Sequence, residues 1–298
     1  MRPEIQEAID LLRSRDPNGT GRILELIQQT VFSFSMKVCG HREDAEDTSQ
    51  EVLFKATEHL PQLKDPSGLT TWLYTVAKNA CLMRRRKSKV APKEMLSLEE
   101  LMPDREELEA LGQSAHDSPE RSVLREEEAE SVREAVLRIP PQYRLILVLH
   151  DMEELPTEEV ASITGLTENT IRVRLHRARL FVRKELANGR EMNAPRPARK
   201  TARKENGRNR PQSCREMFAA LSDYLDEELD DSLCAELEKH MSGCVPCQAF
   251  VQDLKLTIRE IKSYKSESLD RHAAAAIRRV VLQKYEAALK RSKLARQP

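Results

Sequence analysis

The sequence predicts an all-α protein made of small helical domains, and three observations carry that reading. Apolar residues recur at three- and four-residue spacing over much of the chain, and no stretch carries a convincing strand pattern. Charged residues make up 33% of the chain and aromatics only 4%, which suits modest cores between helices rather than one large β-rich core. Proline, glycine and blocks of like charge cut the 298 residues into pieces of domain or linker size.

Residues 20–89 form the first predicted domain. Ile23, Leu24, Ile27 and Val31 make one helical stripe, and Val52, Leu53, Ala56 and Leu60 make a second. Pro61 and the run Asp65-Pro66-Ser67-Gly68 break the pattern into a loop, and a further helix is expected from Thr70 to Arg86. Asp44, Asp47 and Glu51 stand at i, i+3 and i+7, so they share one acidic helix face. Trp72 reads as core; Tyr74 fits either core or surface. Residues 90–120 are acidic, with Pro92, Pro103 and Pro119, and read as a linker with one short helix. A second helical domain is expected at 121–187. Residues 188–213 contain PRPARKTARKENGRNRPQ and read as a flexible basic tether. A third small domain is expected at 214–263, and a basic helix at 264–298 with a weak stripe of Ile277, Val280, Val281 and Ala288.

The longest apolar runs, Leu145–Leu149 and Ala273–Ile277, are far shorter than a membrane span. The first residues, MRPEIQEAIDLLRSRD, lack a signal-peptide core. A cytoplasmic protein without a membrane partner is expected. The net charge of zero hides opposed blocks. Lys93–Glu130 holds 4 Lys/Arg against 13 Asp/Glu, and Leu166–Arg210 holds 14 Lys/Arg against 4 Asp/Glu. The basic block favours a polyanion. The acidic block is either a solvated linker or a competitor for that basic surface.

The stretch LPTEEVASITGLTENTIRVRLHRARLFVRKEL has the grammar of a helix-turn-helix. Thr157 is the expected cap of a first helix whose inner face is Val160, Ala161 and Ile163. Gly165 takes the turn, Leu166 the corner, and Thr167 caps the second helix. Ile171, Leu175, Ala178 and Val182 form the buried side of that second helix. Asn169, Thr170, Arg172, Arg174, His176, Arg177 and Arg179, with Val173 among them, are the candidate DNA contacts. A helix entering a major groove by its N-terminus needs base-reading groups near its start and arginines along it for phosphates.

Four of the six cysteines cluster late in the chain. Cys214, His240, Cys244 and Cys247 are spaced C-x25-H-x3-C-x2-C. Three thiolates and one imidazole make a closed structural zinc set with no open position for hydrolysis. His240 and Cys244, at i and i+4, are expected on one helix face. Cys234 is a spare thiol and a secondary ligand candidate; Cys39 and Cys81 read as core. No nucleophile–base pair, phosphate loop or open metal site is evident, so an enzyme is not expected.

Two blocks carry a family resemblance. HREDAEDTSQEVLFKATEHLPQLKDPSGLTTWLYTVAKNACLMRRRK, residues 41–87, resembles region 2 of the sigma-70 family, and residues 131–186, with LRIPPQYRLILVLHDMEELPTEEVA, resemble region 4. The absence of an intervening region points to the extracytoplasmic-function (ECF) type. The resemblance implies a sigma factor that binds core RNA polymerase and starts transcription at specific promoters. It places Asp44, Asp47, Gln50 and Glu51 against the clamp helices of the largest polymerase subunit. It places Asn79, Arg84, Arg85 and Arg86 at the −10 element, with the Pro61–Leu69 loop holding a flipped base, and the second helix of the 121–187 domain at the −35 element. The C-terminal pattern, with Tyr224-Leu225-Asp226-Glu227-Glu228-Leu229, resembles zinc-containing anti-sigma domains, where the first ligand is usually His rather than Cys214. Fusion in cis suggests that this domain and the final helix modulate the sigma part, with a further regulator as a possible partner. The rival readings are a stand-alone helix-turn-helix regulator and a sigma/anti-sigma adaptor.

Overall fold

The computed structural model describes residues 2–14, 19–63, 65–85, 94–103, 107–108, 110–111, 125–193, 221–226 and 229–294. The regular elements are α1 (Pro3–Ser14), α2 (Gly19–Cys39), α3 (Arg42–His59), α4 (Leu69–Arg85), α5 (Leu98–Leu101), α6 (Arg125–Arg138), α7 (Pro141–Leu147), α8 (Thr157–Thr164), α9 (Glu168–Asn193), α10 (Asp231–Ser242), α11 (Val245–Ser263) and α12 (Arg271–Leu294). Short 3₁₀ turns lie at Leu60–Gln62 and Pro66–Gly68, and a π turn at Val148–Met152. Among the described residues no strand occurs, as the sequence predicts. The chain divides into two compact units, one of residues 1–90, 148–166 and 265–298, the other of residues 91–147 and 167–264.

In the first unit α2, α3 and α4 pack together. The two expected stripes form the core: Ile23, Leu24, Ile27, Val31, Val52, Leu53, Ala56 and Leu60 are all buried, and Leu73 and Ala77 of α4 join them. Gly40, at φ +79°, turns the chain between α2 and α3. Asp65 caps the Pro66–Gly68 turn by accepting from the Ser67 N–H at 3.0 Å. Bonds from the Ser67 hydroxyl and then its N–H hold the Asp65 carboxyl below its ordinary range.

The segment 148–166 enters this core with a charge. The Glu153 side chain has no exposed surface. It accepts from Arg2 Nε at 2.6 Å, Lys37 Nζ at 2.9 Å and the Tyr74 hydroxyl at 2.7 Å. Burial first, then the Glu153 charge, pushes the Tyr74 hydroxyl well above its usual pKa. Burial lowers that of Lys37, against the opposing pull of Glu153. Tyr74 is therefore core, its ring edge-on to Phe34 at 5.2 Å. Trp72 is half-buried and stacks on His59 at 4.4 Å. Cys81 is buried and Cys39 half-buried.

The C-terminal helix also belongs to this unit. Leu269, Ala273, Ala274 and Ile277 pack on Phe32, Met36 and Ala45. Gln28 donates to the Ala274 carbonyl at 3.0 Å, and the Ser33 and Ser266 hydroxyls bond at 2.9 Å. Asp270 caps α12 through the His272 N–H at 3.0 Å. The expected stripe of this helix holds at Ile277, Val280 and Val281, which are half-buried to buried; the Ala288 side chain lies outside the described residues.

In the second unit α9 is the hub, packing against α5, α6, α7 and α11. Ile171, Leu175, Ala178 and Val182 are buried as expected. Arg144 is 2% exposed and donates to the Ile139 carbonyl at 2.9 Å and to the Leu137 carbonyl. It thus satisfies carbonyls that the end of α6 leaves open. The stretch around α5 is more than a solvated linker. Ser97 and Glu100 make a capping box, and Leu101, Met102, Pro103 and Leu108 are buried.

Three local expectations are corrected. Thr157 does not cap α8: Pro156 occupies the cap at φ −65°, ψ 155°, and Thr157 is the buried first helical residue. Helix α9 runs to Asn193, beyond the expected end at 187, because nothing before that point breaks it. The tether residues 194–213 lie outside the described residues. The contiguous 121–187 block is shared between the two compact units, since buried Glu153 ties its middle to Arg2, α2 and α4.

Replacing Glu153 with Ala leaves the Lys37 and Arg2 charges without their carboxylate. Urea denaturation is expected to show a loss of about 3–5 kcal/mol. The double replacement Lys37→Met with Glu153→Leu should recover a large part of it.

Candidate nucleic-acid interface and metal centre

Helix α9 begins where the turn chemistry sets it. Gly165 adopts φ +73° at the end of α8. Thr167 caps α9, its hydroxyl accepting from the Thr170 N–H at 3.3 Å. The candidate DNA contacts on α9 then separate into two groups. Asn169 is exposed, and Thr170, Arg172, Arg174 and Arg177 are half-exposed. Arg172 pairs with Glu168 at 3.2 Å, and the Arg174 guanidinium lies over the Tyr143 ring at 5.8 Å. Val173 is 47% exposed on the same side.

His176 and Arg179 belong to the other group. His176 is 6% exposed and Arg179 is fully buried. Arg179 grips Asp226 with both terminal nitrogens, Nη1 to Oδ2 at 2.6 Å and Nη2 to Oδ1 at 2.8 Å, and donates to the Ser222 hydroxyl at 2.8 Å. One turn on, Arg183 is 2% exposed. Its Nε donates to Asp253 at 2.9 Å and its guanidinium lies over the Phe250 ring at 4.4 Å. The expectation that His176 and Arg179 face DNA is therefore corrected for this conformation: both are buried, and residues 221–226 cover Arg179. Sequence reasoning passed over Arg183, Asp226 and Asp253 as partners. The signal was present in the four-residue spacing of Arg179 and Arg183 and in the Tyr224–Leu229 phrase containing Asp226.

In the first unit, α4 carries Asn79 exposed on its surface, beside Leu82 and Met83 at 37% and 57% exposure. Arg84 and Arg85 end α4; Arg86 lies outside the described residues. On α3, Asp47 is exposed while Asp44, Gln50 and Glu51 are half-exposed, with Glu51 paired to Lys55 at 2.8 Å. The acidic face stands as expected.

His240, Cys244 and Cys247 bring their ligand atoms within 4.8 Å of one another, with His240 Nε2 at 3.4 Å from Cys247 Sγ. Two thiols and an imidazole in this spacing fit a tetrahedral zinc ion with bonds of about 2.0–2.3 Å. Cys214, the expected fourth ligand, lies outside the described residues. One detail is corrected: His240 and Cys244 are not stacked on one helix. Helix α10 stops at Ser242, Gly243 follows, and Cys244 is the N-cap of α11. Pro246 in the first turn of α11 enforces that break. Cys247 sits in the first turn of α11, where unsatisfied N–H groups favour an anionic sulfur. Cys234 is not in the cluster. Burial, then Glu238, Asp231 and Asp230, raises its thiol pKa, which disfavours the thiolate a metal needs.

The chain matches three families in order: "Sigma-70 region 2" over residues 23–90, "Sigma-70, region 4" over 129–182, and "Putative zinc-finger" over 214–248. It therefore carries sigma-70 region 2 and region 4 domains in the expected order, with a zinc-finger-type segment behind them. RNA polymerase sigma factor YlaC of Bacillus subtilis is 28% identical over 163 residues, which span 55% of this chain and 89% of that protein. ECF RNA polymerase sigma factor SigW of the same organism is 27% identical over 184 residues, 61% of this chain and 96% of SigW. The RNA polymerase sigma-H factor of Pseudomonas aeruginosa is 28% identical over 191 residues, 61% of this chain and 95% of that factor. More particularly, relatives of this kind include ECF sigma factors, and this chain extends past them with a C-terminal segment matched as a zinc finger. Among the described residues no helix is long and apolar enough to cross a membrane.

Replacing Cys247 with Ser is expected to lower the bound metal measured by elemental analysis. It should also speed amide exchange in α10 and α11, whose junction the site fixes. Equal metal content and equal exchange in the variant would remove this assignment.

Proposed function

We propose that the chain binds core RNA polymerase through α3 and directs it to promoters with α4 and α9. The observation that carries this reading is the pairing of two surfaces in one chain. One is the α3 face of Asp44, Asp47, Gln50 and Glu51, which suits a basic coiled coil such as the polymerase clamp helices. The other is the N-terminal turn of α9, where Asn169, Thr170 and Arg172 reach solvent, as a major-groove reader requires. Asn79 with the end of α4 and the Pro61–Leu69 loop supports contact with the opened −10 element. Unstacking a base costs a few kcal/mol, which a pocket and basic groove can offset without nucleotide hydrolysis. The chain acts in the cytoplasm as a regulator rather than an enzyme.

The metal is a structural zinc ion held by Cys214, His240, Cys244 and Cys247. When bound it supplies a crosslink between α10 and α11. The C-terminal domain acts on the sigma part in cis. Burial of Arg179 against Asp226 supports that reading, as does the seating of α12 on Phe32, Met36 and Ala45.

Run-off transcription with core polymerase on promoters selected from genomic fragments is the direct test. The full chain is expected to give discrete starts. Asp47→Lys with Glu51→Lys is expected to weaken core association about tenfold or more, equivalent to about 1.4 kcal/mol, and to leave duplex binding unchanged. Equal core association by the variant and the parent would move the docking surface elsewhere.

A further inference from the structure

Two arginines, Arg179 and Arg183, stand one turn apart on α9, a helix whose first turn reaches solvent at Asn169 and Thr170. Each guanidinium meets one carboxylate from the C-terminal part of the chain. Asp226 engages Arg179 through two parallel N–H···O bonds at 2.6 and 2.8 Å. Asp253 engages Arg183 at 2.9 Å. The two acceptors come from separate segments, residues 221–226 and α11, yet they meet successive turns of one face. A guanidinium fork accepts a carboxylate and a phosphodiester with the same bidentate geometry. Two cations on successive turns beyond a base-reading helix start are placed as phosphate contacts are.

We propose that Arg179 and Arg183 form a phosphate-binding pair for duplex DNA, and that Asp226 and Asp253 occupy its two subsites in the conformation described. The inference rests on the reading of α9 as the promoter-reading helix and assigns Arg183 a role that the sequence did not suggest. The carboxylates and the DNA backbone compete for the same donors, so duplex binding by this helix requires residues 221–226 and α11 to leave. Phe250 adds to the hold, because Arg183 lies over its ring at 4.4 Å and the ring has no exposed surface. A domain that covers α9 merely by apolar packing would not need an acceptor at both arginines. Asn169, Thr170 and Arg172 keep their solvent access, so the lock acts on phosphate contacts and leaves the base-reading turn open.

The test measures binding of the full chain to a fluorescent 30-base-pair duplex of mixed sequence over a range of salt concentrations. The parent is compared with Asp226→Asn/Asp253→Asn and with the charge-conserving Asp226→Glu. The double asparagine variant is expected to bind at least tenfold more tightly at low salt. Two added phosphate contacts should steepen its log K against log salt slope by about 2, at roughly 0.9 per contact. Asp226→Glu should stay near the parent. Unchanged affinity and slope in the double variant would overturn the proposal. The arginines left without acceptors could instead unfold the C-terminal part, so the parent alone gives a second reading. Duplex added to the unaltered chain at saturating concentration is expected to speed amide exchange in residues 221–226 and in α11. Saturation without that change overturns the competition. Core-polymerase binding is assayed separately. A chain that starts transcripts yet shows no carboxylate effect loses only the lock, and one that shows the lock without binding core loses only the sigma reading.

Discussion

A carboxylate with no access to water sets the first unit. Glu153 lies on the segment that leads into α8, yet its oxygens are held by Arg2, Lys37 and Tyr74 from α2, α4 and the start of the chain. Taking a carboxylate and an ammonium out of water costs several kcal/mol per ion, recovered only with close geometry and full hydrogen bonding. The network meets that condition with three donors. In this placement of the segment, Arg2, Lys37 and Tyr74 all meet the one carboxylate. The Tyr74 ring, edge-on to Phe34, aligns the hydroxyl that completes the set.

The same rule operates on α9. Arg179 and Arg183 are buried and each is bonded to a carboxylate, Asp226 and Asp253. Arg144 is held differently, by the Leu137 and Ile139 carbonyls at the end of α6. Charged residues thus do three kinds of work: they register segments, complete helix ends and join α9 to the segments that cover it. The zinc-type cluster is joined to this arrangement through α11. That helix carries Cys247 at its first turn, Phe250 under Arg183, and Asp253 beyond it. Whatever fixes its N-terminus also fixes the acceptor of Arg183.

Much of the fold was legible in advance. The stripes of α2, α3 and α9 are buried residue for residue, because a 3.6-residue period leaves one solution for which face turns inward. The Gly165 turn and the Thr167 cap are written in local chemistry, and so was the proximity of His240, Cys244 and Cys247, seven residues apart in all. Local signals failed where two devices competed: Thr157 looked like a cap, but Pro156 already terminates the preceding extended chain. Gly243 and Pro246 turned an apparent helical i, i+4 pair into a helix–turn–helix junction.

The sequence by itself did not mark α1, but it determined most of the helices, the two sigma regions, the acidic α3 face and the candidate metal ligands. Each depends on residues close in the chain, where periodicity, capping and ligand spacing act. Only the tertiary structure decided that Glu153 meets Lys37, that α12 rests on Phe32 and Met36, and that Arg179 and Arg183 are held by Asp226 and Asp253. Those partners stand from 47 to more than 200 residues apart. A charge on a helix surface carries no local mark of which distant carboxylate will meet it; that is fixed only when folding buries the two segments against each other.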